Sequence, residues 1–210
     1  MNVKLIGVTP KAEDLIVYMA RVSNPSNQNT THNNEKLIRY LIKNQHWSPM
    51  EMVSVVMEVE TTRDIARQIL RHRSFSFQEF SQRYADPTKD LGFETREARL
   101  QDLKNRQNSI ENTNDYINER WENEQLAVIE RSKHAYQWAI DNGIAKEQAR
   151  VVLPEGNTQS RLYMNGTLRS WIHYCQLRMS NGTQKEHIEV ATECWNVLEK
   201  EFPSVTAALK

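Results

Sequence analysis

The stretch Arg71-His72-Arg73-Ser74-Phe75-Ser76-Phe77-Gln78-Glu79-Phe80-Ser81-Gln82-Arg83-Tyr84 holds the densest set of side chains able to do chemistry. Its arginines carry paired N–H donors that suit phosphates and planar carbonyl groups. Phe75, Phe77 and Phe80 place flat rings beside them, which suits a heterocycle. Ser81 reads as a hydroxyl and backbone donor to phosphate rather than a nucleophile, because no base stands at a fixed spacing from it. An Arg-His-Arg triplet alone would read as a solvated helix end whose charge suits the C-terminal dipole. Farther on, Arg178 shares a helical face with Trp171 and Tyr174. A cation on that part-buried face needs an anionic partner, because an unpaired buried charge is costly. A ligand anion and an internal carboxylate both remain open.

These side chains need elements to position them. TTRDIARQILRHR reads as a helix, with Ile65, Ala66, Ile69 and Leu70 as an apolar stripe and Gln68, Arg71 and His72 on a neighbouring face. After Arg73 the pattern alternates like a strand. Val3 to Val8 and the alternating Val53, Val55, Met57 and Val59 also read as strands, as does Gln159 to Asn165. Thr9-Pro10 reads as a helix start running to about Val22, and Leu37, Ile38, Leu41 and Ile42 mark a second helix. Asn24 to Asn34 reads as a loop, and His46 to Glu51 as a turn. Asp86 to about Asn114 reads as a polar surface excursion with a helical turn within Glu97 to Asn105. Asp115 to Asn142 is one long helix, with Trp121, Val128, Ser132, Ala135 and Ala139 on one side and Gly143 as its stop. Ala145 to Arg150 is a short helix that exits at Pro154. Thr167 to Met179 is another helix. Thr183 and Glu186 suggest a capping box for the last one, with Ile188, Ala191, Trp195 and Leu198 as its buried stripe and Pro203 as its stop. The expected architecture is α+β: a central, mostly antiparallel sheet flanked by helices, with long helices on one side, in a single domain over 1–210.

Composition narrows the partners. Of 210 residues, 39% are hydrophobic and 26% charged, enough for a globular core. Lysine plus arginine balance aspartate plus glutamate at 27 each, which argues against a nucleic-acid coat or a membrane-surface protein. Basic clusters in a neutral chain fit small anionic ligands better. No apolar run approaches the length of a membrane span, and the N-terminus lacks a secretion signal. Cys175 and Cys194 stand far apart in helical stripes, which points to a reducing, cytoplasmic compartment and to inert thiols. There is no GxGxxG, GxxxxGK, HExxH or GxSxG motif, so no metal site is expected and any nucleotide must be held by scattered residues.

The run RHR, seven residues, then Ser81-Gln82-Arg83-Tyr84 resembles the signature of the flavin-dependent thymidylate synthases. Three further blocks resemble that family in the same order: KNQHWSPMEM, EQARVVLP and TLRSWIHYCQLRMS. The resemblance implies reductive methylation of dUMP to dTMP without an enzyme nucleophile. Methylenetetrahydrofolate would give the carbon, and FAD reduced by NADPH the hydride. By resemblance His46, Ser48, Arg71, His72, Arg73, Glu79, Thr167, Leu168, Arg169 and His173 are flavin contacts. Gln68, Arg71, Glu79, Phe80, Ser81, Gln82, Arg83, Arg150 and Arg178 are contacts to dUMP, with Arg178 as the group that activates the uracil. The family often has Asn where Thr167 stands and His where Gly182 stands, the latter near the folate site. The resemblance also implies a homotetramer with sites shared between chains. Two other readings remain: a nucleotide- or RNA-binding module that stacks bases on the Phe-rich run, and a flavin-dependent oxidase of another nucleotide.

Overall fold

The computed structural model describes residues 1–30 and 32–210; Thr31, within the predicted Asn24 to Asn34 loop, lies outside the described residues. The chain opens with β1 (Asn2–Val8), α1 (Ala12–Ala20), α2 (Asn34–Lys43), β2 (Ser54–Thr62), α3 (Arg63–Ile69) and β3 (Phe75–Glu79). An excursion follows, with α4 (Pro87–Asp90), β4 (Arg99–Gln101) and β5 (Ser109–Glu111). The rest comprises α5 (Asp115–Asp141), α6 (Lys146–Ala149), β6 (Gln159–Thr167), α7 (Leu168–Arg178), α8 (Lys185–Glu201) and α9 (Pro203–Leu209). The main sheet has the order β1-β2-β6-β3, and every pair in it is antiparallel. The fold is thus α+β, with a central antiparallel sheet flanked by helices.

Alternation in β2 is what gives the sheet two unlike faces. Val55, Met57 and Val59 are fully buried with Leu162 and Met164 of β6, beneath Trp171 and Ile172 of α7 and Val190, Ala191, Cys194 and Leu198 of α8. The Trp171 indole N–H donates to the Val55 carbonyl at 3.0 Å, so the largest core side chain leaves no orphan donor. On the other face Glu58 stands opposite Tyr163 and Glu60 opposite Arg161, whose Nε donates to Glu60 at 2.8 Å.

Gly166 of β6 faces Phe75 of β3 across the sheet. A Cβ on Gly166 would overlap the Phe75 ring, which is wedged edge-on against Trp171 with centroids 4.9 Å apart. Gly166→Ala is therefore expected to destabilise the fold by about 1–3 kcal/mol, since the ring must leave a packed position. A urea midpoint identical to the parent's would show that Phe75 moves freely.

Several local expectations fail for identifiable reasons. Helix α1 starts later than predicted, because the Thr9 hydroxyl accepts from the Ser54 N–H at 2.9 Å, tying β1 to β2 instead of capping. Helix α3 ends at Ile69, so Arg71, His72 and Arg73 lie in the turn before β3. No helical turn forms within Glu97 to Asn105; β4 and β5 pair there as a small hairpin. In α5 the buried residues are Gln125, Ile129, Ser132, Tyr136 and Ala139, while Trp121 and Val128 are exposed. Gln184, not Thr183, precedes α8, and no capping box forms. Glu186 instead accepts two hydrogen bonds from Arg99, at 2.8 and 3.0 Å, which pins the hairpin to α8. The buried stripe of α8 runs through Val190, Ala191, Cys194 and Leu198, leaving Ile188 and Trp195 half-buried at its edges. Pro203 ends α8 and opens α9.

Candidate active site

Helix α3, the turn after it, strand β3 and the turn beyond β3 carry most of the predicted site residues, and the whole set falls in three places.

The first is an open cleft of about 390 Å³ lined by Arg63, Arg67, Gln82, Glu147, Arg150 and Glu155, among others. Gln82 is buried, and its Nε2 has no hydrogen-bond partner. A buried amide without a partner is rare and marks a place where a ligand acceptor fits. Arg83 and Arg150 meet at one residue: Arg83 Nε lies 3.3 Å from the Glu147 carboxylate, and Arg150 Nε donates to the Glu147 carbonyl at 3.3 Å. Ser81 opens the turn beside them, its carbonyl accepting from Tyr84 and Ala85. Phe80 extends the β3–β6 pairing through its N–H to the Arg161 carbonyl at 2.8 Å.

Glu79 is the electrostatic centre of this region. It accepts from Ser160 Oγ at 2.9 Å and Arg67 at 3.2 Å, and Arg63 stands 3.5 Å away. Arg63 is buried, and burial lowers its pKa against the pull of Glu79. Sequence reasoning missed Arg63, Arg67, Ser160 and Glu147. The one available signal was a polar run, Thr61-Thr62-Arg63, that breaks the alternation at the end of the strand.

The second place surrounds Arg178. Its Nε donates to His72 Nε2 at 2.9 Å. Among the described residues no carboxylate pairs with Arg178, and its terminal guanidinium nitrogens make no hydrogen bond. Of the two partners left open by the sequence, the internal carboxylate is therefore not the one found. A neutral imidazole holds the cation from behind and leaves its charge unbalanced. Burial, with Arg178 next, pulls the His72 pKa down to about 4, which keeps the ring neutral and able to accept. His72 also stands edge-on to Tyr174, with centroids 4.9 Å apart. Behind it, Tyr174 contacts His187 at 3.1 Å, His187 contacts Gln68 at 3.3 Å, and Gln68 donates to Gln184 at 2.8 Å. His187 and Gln184 were not singled out from the sequence, where each looked like an ordinary position near a helix start.

The two histidines give a pH dependence whose sign is fixed. Burial holds His187 down to about 3 and His72 to about 4, against 6.5 for a free imidazole. As pH falls below about 6.5 the unfolded chain takes up these protons first, while the folded chain stays neutral. The stability they contribute is complete above about 6.5 and is lost as pH falls toward 4 for His72 and 3 for His187. Thermal stability is thus expected to fall from pH 6.5 downward, above the carboxylate range. A melting temperature that stays flat to pH 5 would contradict this.

The third place is a cavity of about 410 Å³ lined by Trp47, Glu51, Ser74, Arg169, Ser170, Ile172, His173 and Gln176. Arg169 pairs with Glu51. His46 and Ser48 are exposed in the turn leading into it, with His46 edge-on to Tyr40. Arg71 and Arg73 are exposed, and their guanidinium groups have no hydrogen-bond or ion-pair partner among the described residues. Thr167 caps α7, its hydroxyl accepting from the Ser170 N–H at 3.2 Å. Leu168 is fully buried, and its N–H donates to the Val53 carbonyl, so its side chain serves the core rather than the cavity. The lining suits a cofactor with a flat ring system, offering an exposed imidazole, serine hydroxyls and a tryptophan, and the unpaired guanidinium of Arg73 adjoins Ser74 of its wall in sequence.

Arg150 and Gln82 line the first cleft and Arg178 does not, so the guanidinium groups are not gathered in one pocket. Both thiols are out of play, because burial pushes Cys175 and Cys194 well above the ordinary range.

The guanidinium groups, hydroxyls and imidazoles that this α+β fold presents are of a chemistry that suits flat, phosphate-bearing ligands. The sequence profile described as "Thymidylate synthase complementing protein" matches residues 4–204. A flavin-dependent thymidylate synthase of Synechocystis sp. is 51% identical over 199 residues, covering 94% of this chain and 89% of that protein. A probable flavin-dependent thymidylate synthase of Paramecium bursaria Chlorella virus 1 is 47% identical over 216 residues, covering 100% of this chain and 99% of that protein. Among solved structures, the UMP/dUMP methylase PolB from Streptomyces cacaoi bound with 5-Br dUMP superposes with a TM-score of 0.83 at 28% identity, covering 99% of this chain and 93% of that one. The chain belongs to the flavin-dependent thymidylate synthase family.

Proposed function

We propose that this protein methylates dUMP to dTMP reductively, taking its carbon from methylenetetrahydrofolate and its hydride from FAD reduced by NADPH. The observation that carries the reading is Arg178: a half-buried guanidinium held at Nε by a neutral histidine, with no carboxylate and with its terminal nitrogens free.

The ring carbon of uracil that gains the new group is a weak nucleophile until ring nitrogen 3 loses its proton. The free Arg178 donors, placed at the neighbouring carbonyl, stabilise the resulting anion electrostatically. His72 orients this guanidinium and does not compete for its charge. Arg83, Arg150, Ser81 and Gln82 would hold phosphate and sugar in the first cleft, and Gln68 the base, which turns binding energy into orientation. Arg71, Arg73, His46, Ser48, Arg169 and His173 would hold FAD, which supplies the hydride when bound. Neither cysteine takes part as a nucleophile.

That Arg178 does not line the cleft beside Arg150 supports a site shared between chains, in a homotetramer. Exposed Trp121, Val128 and Trp138 on α5 offer apolar surface for such an assembly. Two results test the activity. Purified protein is expected to be yellow, with flavin absorbance. Its gene is expected to rescue growth of a bacterial strain that requires thymidine, and the Arg178→Ala gene is not. A colourless protein that takes up no FAD and gives no rescue would remove the reading.

A further inference from the structure

Behind Arg178 and Gln68 runs a chain of buried hydrogen bonds whose direction can be deduced. It begins at Gln184, whose side-chain oxygen accepts from Gln68 Nε2 at 2.8 Å. That leaves Gln68 Oε1 facing His187 Nδ1 at 3.3 Å. An amide oxygen cannot donate, so Nδ1 of His187 carries the proton. A neutral imidazole holds one proton, so Nε2 is bare and must accept from the Tyr174 hydroxyl 3.1 Å away. His187 has no solvent exposure, and both of its ring nitrogens are used. Leucine or phenylalanine would fill the same volume, but neither could relay a donor to an acceptor.

We propose that His187 is a positioning residue for the nucleotide site: it receives a hydrogen bond from Tyr174, gives one to Gln68, and so fixes the Gln68 carboxamide with its second N–H directed to the pyrimidine nucleotide. The proposal rests on the reading of Gln68 as a nucleotide contact. His187 does not touch substrate. Its burial keeps it uncharged, so it adds no repulsion to the cation of Arg178.

The test compares His187→Phe with His187→Gln in the FAD-loaded enzyme. Phenylalanine keeps a ring and removes both hydrogen bonds. Glutamine retains one donor and one acceptor. The KM for dUMP is expected to rise about tenfold in His187→Phe, the size of one lost buried hydrogen bond, with smaller changes in kcat and none in FAD content. His187→Gln is expected to recover most of that loss. An unchanged KM in His187→Phe overturns the proposal. So does an equal loss in both variants that falls alike on dUMP, folate and FAD, which is the pattern of a residue that only packs. If His187→Phe does not fold, Tyr174→Phe removes the donor to Nε2 and is expected to raise the same KM several-fold; no rise overturns the proposal. A substrate-free readout separates this inference from the assigned activity. Imidazole nitrogen NMR shifts should show His187 protonated at Nδ1, and protonation at Nε2 would contradict the chain even in a protein that proved inactive on dUMP.

Discussion

Arg178→Ala is expected to lower the turnover of dUMP about a hundred- to thousandfold, the usual loss when a charge-stabilising donor is taken from a reacting centre. The expectation follows from what Arg178 does not do in this structure. A guanidinium of structural purpose at a part-buried site is normally tied to a carboxylate. Arg178 is tied instead to His72, a ring that burial keeps neutral, through a single 2.9 Å hydrogen bond from Nε. Its removal should therefore leave the fold close to intact, because no internal ion pair is broken. Arg178→Lys should recover little. A lysine has one nitrogen and cannot both reach His72 and present a planar pair of donors. Steady-state formation of dTMP, beside flavin content from absorbance, measures both sides. A variant that loses flavin and melts early along with its activity would mark Arg178 as structural.

The second large effect is on stability. Glu79→Ala is expected to destabilise the fold by about 3–5 kcal/mol, the range for removing one partner of a buried pair. Glu79 is the carboxylate beside Arg63, which is buried, and it also accepts from Arg67 and Ser160. Without it, Arg63 is left as a desolvated cation with Arg67 and Arg150 nearby, both of which already oppose its charge. For a chain of this length the loss corresponds to a fall in melting temperature of roughly 10 °C. Glu79→Gln keeps an acceptor for Ser160 and Arg67, and it should fall between parent and alanine variant. A calorimetric shift under about 3 °C for the alanine variant would mean that water, not Glu79, balances Arg63.

The sheet and the helices around it were legible because their side chains obey one simple period each. Val53, Val55, Met57 and Val59 alternate, and all are buried. The misses share a different cause, since each depended on a partner far along the chain. Thr9 looks like a cap until Ser54 is beside it. Glu186 looks like half of a capping box until Arg99 arrives from a hairpin with almost no apolar pattern. Helix α5 is apolar on more than one side, so its sequence could not say whether Trp121 or Tyr136 faces inward; Tyr136 does.

The site was legible in proportion to how local its parts are. The Arg71 to Tyr84 run is contiguous; of its residues Gln82 lines the cleft and Ser74 the cavity. That Arg178 rests on His72, from the far end of the chain, needed coordinates. So did the chain from Tyr174 through His187 to Gln68, whose members look like unrelated helix residues. Leu168 shows that a side chain inside a matching motif can belong to the core.

The claim on which everything else depends is that Arg83, Arg150 and Arg178 address one nucleotide. A crystal structure of the assembled protein with FAD and dUMP tests it most directly. The expected result is a phosphate against Arg83 and Arg150 of one chain and a pyrimidine carbonyl within hydrogen-bond distance of the Arg178 guanidinium of another. Bound dUMP that leaves every Arg178 in the assembly turned away from its base would contradict it.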